Sequence, residues 1–169
     1  MENSIALEVS SKHKLNDTWI LWAHLPHDTN WGKTSYKKIK ELVTLEEIFT
    51  LYENLPENMI KNCMLFLMRK GVLPMWEDKN NREGGCFSYK VSNKQAVISW
   101  KTLSYVLVGE TLSNTKKATI NGITISPKKN FCIIKVWLKD CVHQNPEIIT
   151  SVPGFTNYGC IFKKHNPEY

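Results

Sequence analysis

Thr18-Trp19-Ile20-Leu21-Trp22-Ala23-His24-Leu25 carries apolar side chains on both alternating faces, so it reads as a buried strand. Pro26 closes it, because proline cannot extend a ladder. Upstream, residues 1–16 are polar and aperiodic and read as a tail, leaving 17–169 as a single domain. Downstream, a polar loop leads to a short strand over Tyr36 to Leu42. Thr44-Leu45-Glu46-Glu47 then forms a capping box, in which Thr44 caps and Glu47 reaches back. The helix it opens runs to about Leu55, with Ile48, Leu51, Tyr52 and Leu55 as a buried stripe and Leu45 and Phe49 on its flank.

The same reading continues along the chain. Cys63 to Met68 and Cys86 to Val91 read as strands, and Lys94 to Val108 as a helix with Ala96, Trp100, Leu103 and Leu107 inward. Gly109 takes the left-handed position after that helix. Strands follow near Ala118 to Ser126, Phe131 to Lys139 and Tyr158 to Lys163, with a short helix started by Asn145-Pro146-Glu147. Hairpins with three separated helices predict an α+β domain: a curved, mostly antiparallel sheet with helices on its convex face and a free concave face.

Composition narrows the function. No apolar run approaches the ~20 residues of a membrane span, and Met1-Glu2-Asn3-Ser4 lacks a secretory pattern. Five cysteines without C-x-x-C spacing argue for a reducing compartment, hence the cytoplasm, and against a disulfide framework or zinc site. Cys141 and His143 lack further metal ligands nearby. The formal charge of +6 favours an anionic partner. No cofactor is called for.

Two tryptophans stand apart from the core pattern. Trp31 sits in Asp28-Thr29-Asn30-Trp31-Gly32-Lys33, and Trp76 in Pro74-Met75-Trp76-Glu77-Asp78-Lys79. Neither has apolar neighbours at strand or helix spacing. Each alone reads equally well as a plug at a strand end. Together, with Glu77 beside the second, they suit a grip on a flat cationic or purine-like ring.

The order and spacing of several features resemble one family. These are Trp19 and Trp22, Trp31, Thr44-Leu45-Glu46-Glu47 before Phe49 and Tyr52, Pro74-Met75-Trp76-Glu77-Asp78 with Gly84-Gly85, Trp100 with Gly109-Glu110, and Val136-Trp137. The resemblance, over about His13 to Leu138, is to eukaryotic translation initiation factor 4E, which binds the 5′ cap of messenger RNA; this chain looks like a divergent member. It implies a 7-methylguanine ring sandwiched between Trp31 and Trp76, its edge read by Glu77 and its methyl group touched by Trp137. The chemistry agrees, because N7 methylation makes the ring cationic and a better partner for indole faces.

Departures from the family pattern fall at the phosphates and at the partner face. Cys86 and Ile133 stand where the family has basic residues, and Asn130 where it has a lysine. Lys128 aligns with a family arginine, its neighbour Lys129 can share that role, and Lys135 shares a strand face with Trp137. The expected phosphate-binding residues are therefore Lys128, Lys129 and Lys135. The family's scaffold proteins, and repressors that mimic them, dock a helical motif on the helices. Here that face comprises His13, Leu15, Leu45, Phe49, Trp100 and Lys101, with Phe49 in place of a tryptophan and Lys101 in place of an apolar residue. The resemblance thus implies capped mRNA and a scaffold or repressor as partners of a monomer, with altered scaffold specificity.

Other readings are an enzyme with Cys86 as nucleophile and His143 or His165 as base, a single-stranded RNA module that stacks bases without reading a cap, and a decoy that sequesters caps or scaffold.

Overall fold

The computed structural model describes residues 11–169. Side-chain alternation sorts them into two layers. On β1 (Lys14–His24), Trp19, Leu21 and Ala23 enter the main core, while Trp22 packs on the opposite side. On β3 (Met64–Arg69), Leu65 and Leu67 join the main core, and Phe66 and Met68 face away from it. The remaining strands are β2 (Tyr36–Thr44), β4 (Gly85–Ser92), β5 (Ile120–Pro127), β6 (Phe131–Leu138) and β7 (Ile161–Lys164). All pairings are antiparallel, in the order β2-β1-β3-β5-β6-β4-β7. This is the curved α+β architecture expected from the sequence, with the helices on one face and a smaller apolar cluster on the other.

Three helices cover the main core: α1 (Leu45–Asn54), α2 (Glu57–Asn62) and α3 (Ala96–Val108). Thr44 and Glu47 form the expected reciprocal cap on α1, and Ile48 and Tyr52 are buried. The structure corrects three details. The third helix lies at α2, not after Asn145, where there is only a 3₁₀ turn over Pro146–Ile148 capped by the Asn145 side chain. β1 begins at Lys14, inside the stretch expected to be tail, because Lys14 pairs with Thr44 and the His13 carbonyl accepts from Leu45 N–H. After α3, Gly109 stays right-handed and Glu110 takes the left-handed turn at φ 59°. That conformation is costly for a residue with a Cβ, but it aims the Glu110 carboxylate at Arg69, which holds it bidentately (2.7 Å to Oε2). Among the described residues, no helix is long and apolar enough to cross a membrane.

The chain beyond β7 is anchored by His165, which is 4 % exposed. Its Nδ1 lies 2.6 Å from the Asn81 carbonyl, which can only accept, so Nδ1 bears the proton. Nε2 is then free to accept from the Cys86 thiol at 2.9 Å. Burial pushes the Cys86 thiol up to about 12, so it remains a protonated donor. Burial also lowers the pKa of His165, against the Asn81 hydrogen bond that favours the charged ring.

Two outcomes follow from these anchors. Thr44→Ala should cost about 1 kcal/mol in a urea unfolding experiment, because one N-terminal N–H of α1 loses its acceptor. The unfolded chain protonates its imidazole below the ordinary value of 6.5, whereas folded His165 resists until lower pH. The stability due to neutral His165 is therefore complete above that value and declines as pH falls through it. Thermal melts at about pH 7.5 and 5.5 should show a smaller acid loss in His165→Gln than in wild type, and equal losses would place the acid sensitivity elsewhere.

Candidate functional site

The helix-free face holds a cavity of about 510 Å³ lined by Trp31, Tyr36, Phe66, Trp76, Glu77, Lys135, Trp137 and Tyr169, among others. That size suits a small ring system and its first substituents. Trp31 and Trp76, 45 residues apart by numbering, thus open onto one space. Glu77 and Trp137 share it.

Each indole is held from behind. The Trp31 ring stacks on His24 with centroids 3.9 Å apart and planes 6° from parallel, yet Trp31 remains 55 % exposed. One face is therefore backed and the rest of the ring is available. His24 is fixed in turn, since its Nε2 donates to the Asn30 carbonyl at 2.8 Å. The loop itself is braced by side-chain turns: Asp28 accepts from Asn30 N–H at 2.9 Å, and Asn30 accepts from Gly32 N–H at 2.8 Å. Trp76 stacks on His165 (5.7 Å, 16°), and Trp137 leans on the same imidazole (4.9 Å, 54°). Trp137 is buried, with Nε1 donating to Thr124 Oγ1 at 2.7 Å. Tyr36 and Phe66 complete an aromatic arc: edge contacts link His24 to Tyr36, Tyr36 to Phe66 and Phe66 to Trp137.

The Trp76 loop owes its shape to polar side chains. Asp78 accepts from Leu73 and Asn80 N–H groups at 3.1 and 2.8 Å. Asn81, fully buried, donates to the Leu73 and Met75 carbonyls at 2.8 and 2.9 Å. Asn121 Nδ2 reaches across from β5 to Asn81 Oδ1 at 3.0 Å. Gly84 admits no side chain, because a Cβ would collide with the Leu138 backbone carbonyl. Glu77 Oε1 accepts the Glu168 N–H at 3.3 Å, which brings the last residues to the cavity wall. The Tyr36 hydroxyl, raised to about 12 chiefly by burial and then by Glu77, stays protonated as a donor there.

Of the expected phosphate-binding lysines, only Lys135 lines the cavity. Lys128 and Lys129 sit on the exposed turn between β5 and β6, where Lys128 N–H bonds to the Phe131 carbonyl. At a strand rise of ~3.4 Å, Phe131 is about 20 Å along β6 from Trp137, so these two lysines are placed for groups far from the indoles.

On the helical side, Phe49 is 44 % exposed and leans on Tyr105 at 5.0 Å. Leu15 and Leu45 are half-buried against the core, and Lys101 lies one turn before Tyr105. His13 Nδ1 meets Glu46 Oε1 at 2.7 Å. Trp100 is a correction: it is completely buried and backs this face without belonging to its surface. Sequence reading also missed His24, Tyr36 and Phe66 as site residues, since they alternate within strands and signal only core. His165 entered only as a possible catalytic base. It does meet Cys86, but a buried, protonated thiol is no nucleophile. No group of three metal-binding side chains occurs among the described residues.

Comparison with known proteins places the chain in a family. The family model described as Eukaryotic initiation factor 4E matches residues 14–157. The chain is 28% identical over 144 residues to eukaryotic translation initiation factor 4E of Candida albicans, covering 79% of this chain and 68% of that protein. It is 24% identical over 147 residues to the human factor, covering 83% of this chain and 66% of the human one. Its fold is similar to that of C. elegans eIF4E-3 in complex with the 4E-binding protein Mextli and cap analog (TM-score 0.69, 26% identity, 78% of this chain and 76% of that one). Ascaris suum eIF4E-3 with m7G cap shares the fold at TM-score 0.69 and 22% identity, over 78% of this chain and 76% of that one. The chain belongs to the eukaryotic initiation factor 4E family, as a divergent member.

Proposed function

We propose that this protein binds the 7-methylguanosine cap of messenger RNA and, through a docked partner, takes part in translation initiation, acting by binding and not by catalysis. The observation that carries this reading is that Trp31, Trp76, Glu77 and Trp137 line a single cavity. The methylated base stacks on the open face of Trp31 and on Trp76. Glu77 accepts hydrogen bonds from its N1–H and N2–H₂ edge, and Trp137 borders the methyl group. Stacking contributes about 1–3 kcal/mol per base face and each charge-assisted hydrogen bond about 1.5–3 kcal/mol. Unmethylated guanine keeps the edge contacts but loses the cation, so it binds more weakly. Lys135 meets the phosphates nearest the base, and Lys128 and Lys129 serve phosphates further along the RNA.

The partner is a scaffold of the initiation complex, or a repressor carrying the same kind of helical motif. It docks over Phe49, with Leu15, Leu45, His13 and Lys101 around it. A phenylalanine is a smaller anchor than the family's tryptophan, and Lys101 repels a basic peptide. Partner choice therefore differs from that of the usual factor.

Tryptophan fluorescence checks the first part. Emission should be quenched by 7-methyl-GTP at far lower concentration than by GTP, and Trp76→Leu should weaken the methylated ligand roughly ten- to hundredfold. Equal quenching by both nucleotides, or displacement of bound RNA by uncapped homopolymer, would instead support a general single-strand binder. For the partner face, Phe49→Ala should lower affinity for a helical docking peptide by at least about tenfold in a pull-down or calorimetric titration. Full retention would move the docking site elsewhere.

A further inference from the structure

Strand register places an unassigned cation beside the indole pocket. On β4, Cys86 is flanked by Trp137 of β6 on one side and by Lys163 of β7 on the other. Residues opposite one another in antiparallel strands share a face, so Trp137, Cys86 and Lys163 form one row across the pocket side of the sheet. The packing agrees: Phe162, next to Lys163, points the other way and meets Phe87 in the main core at 5.3 Å. The next row on the pocket side is Lys135, Ser88 and Ile161. Lys135 and Lys163 therefore bracket β4, about 10 Å apart across the strands and ~7 Å offset along them.

The middle of this bracket has no cation of its own. Cys86 turns its thiol to His165, and both groups are uncharged. Lys135 lines the cavity, and its positive charge is felt at Cys86 and at His165. Among the described residues, neither Lys135 nor Lys163 is in an ion pair. Two flexible ammonium groups without carboxylate partners, aimed at one strip of surface, form a polyanion site.

We infer that Lys163, together with Lys135, holds the polyphosphate attached to the stacked base over Cys86 and Ser88, so that the edge strand supplies the charge that residue 86 lacks. The inference rests on the cap-binding reading for its location, since the base in the indole pocket fixes where the polyphosphate emerges. The ligand class is a nucleoside 5′-polyphosphate, free or at the end of an RNA. Lysines in this bracket act as movable point charges, so binding depends strongly on salt and weakly on phosphate geometry.

The test compares 7-methylguanosine with 7-methyl-GTP by fluorescence titration at several salt concentrations. Lys163→Ala should lower the triphosphate-to-nucleoside affinity ratio roughly two- to fivefold and reduce the salt slope by about 1. Lys163→Arg should restore most of the ratio. Lys164→Ala is the control, because Lys164 lies opposite Gly85 on the other face and its charge acts on Cys141. An unchanged ratio in Lys163→Ala, or an equal loss in Lys164→Ala, overturns the assignment. Loss of methyl preference in wild type with the Lys163-dependent phosphate increment intact overturns the stacking reading alone.

Discussion

Inside the sheet's pocket side, the Nδ1–H of His165 bonds to the Asn81 carbonyl at 2.6 Å while its Nε2 accepts from Cys86. Two stretches of chain about 80 residues apart in sequence, 81–86 and the segment after β7, meet at this one neutral ring. Asn81 shapes the Trp76 loop, Cys86 belongs to β4, and His165 follows β7. Both imidazole nitrogens are satisfied only in the uncharged tautomer, so burial and hydrogen bonding select the same state. With the ring so fixed, Trp76 and Trp137 rest on it from two directions. The Trp76 and Trp137 side of the cavity is thus braced by the protein's own contacts, which in the proposed complex lowers the ordering cost of binding.

The same network accounts for the missing basic residue. An arginine at position 86 would need room and a charged partner where the structure has a buried thiol beside an imidazole. A neutral pair in a dry setting avoids the desolvation that a buried cation suffers. Lys135 and Lys163, on the strands to either side of β4, keep their ammonium groups nearer solvent. In the proposed polyphosphate site, attraction for phosphate thus falls to residues that water can screen.

The helical face follows a different logic. Trp100 fills the core beneath it, and Phe49 and Tyr105 provide the aromatic surface above. Tyr52 ties the two long helices together through a 2.7 Å contact with Ser104, so the platform under Phe49 is firm. A half-apolar surface over a braced base suits the helical motif proposed to dock there.

Local patterns were legible before any coordinates: the capping box at Thr44, the two-faced apolar run of β1, the strands near β5 and β6, the helical stripe of α3, and the two indoles stranded in polar loops. These are short-range signals, written in periodicity and turn chemistry over a few neighbouring residues. Glu110's left-handed turn was not legible, because its reward is Arg69, 41 residues away. Nor were the backing of Trp31 by His24 or the role of His165, since a residue's place within a strand or helix does not say which neighbour its far side will meet; the inward turn of Trp100 was legible from its helical stripe, and only its distance from the partner surface was not. Likewise, Lys163 gained meaning only when register set it beside Cys86. The amino-acid order by itself determined most of the elements, α2 excepted, and which aromatic and acidic groups stand outside the core pattern; tertiary pairing alone decided which of them share a cavity, because strand register and long-range hydrogen bonds depend on the whole sheet closing together.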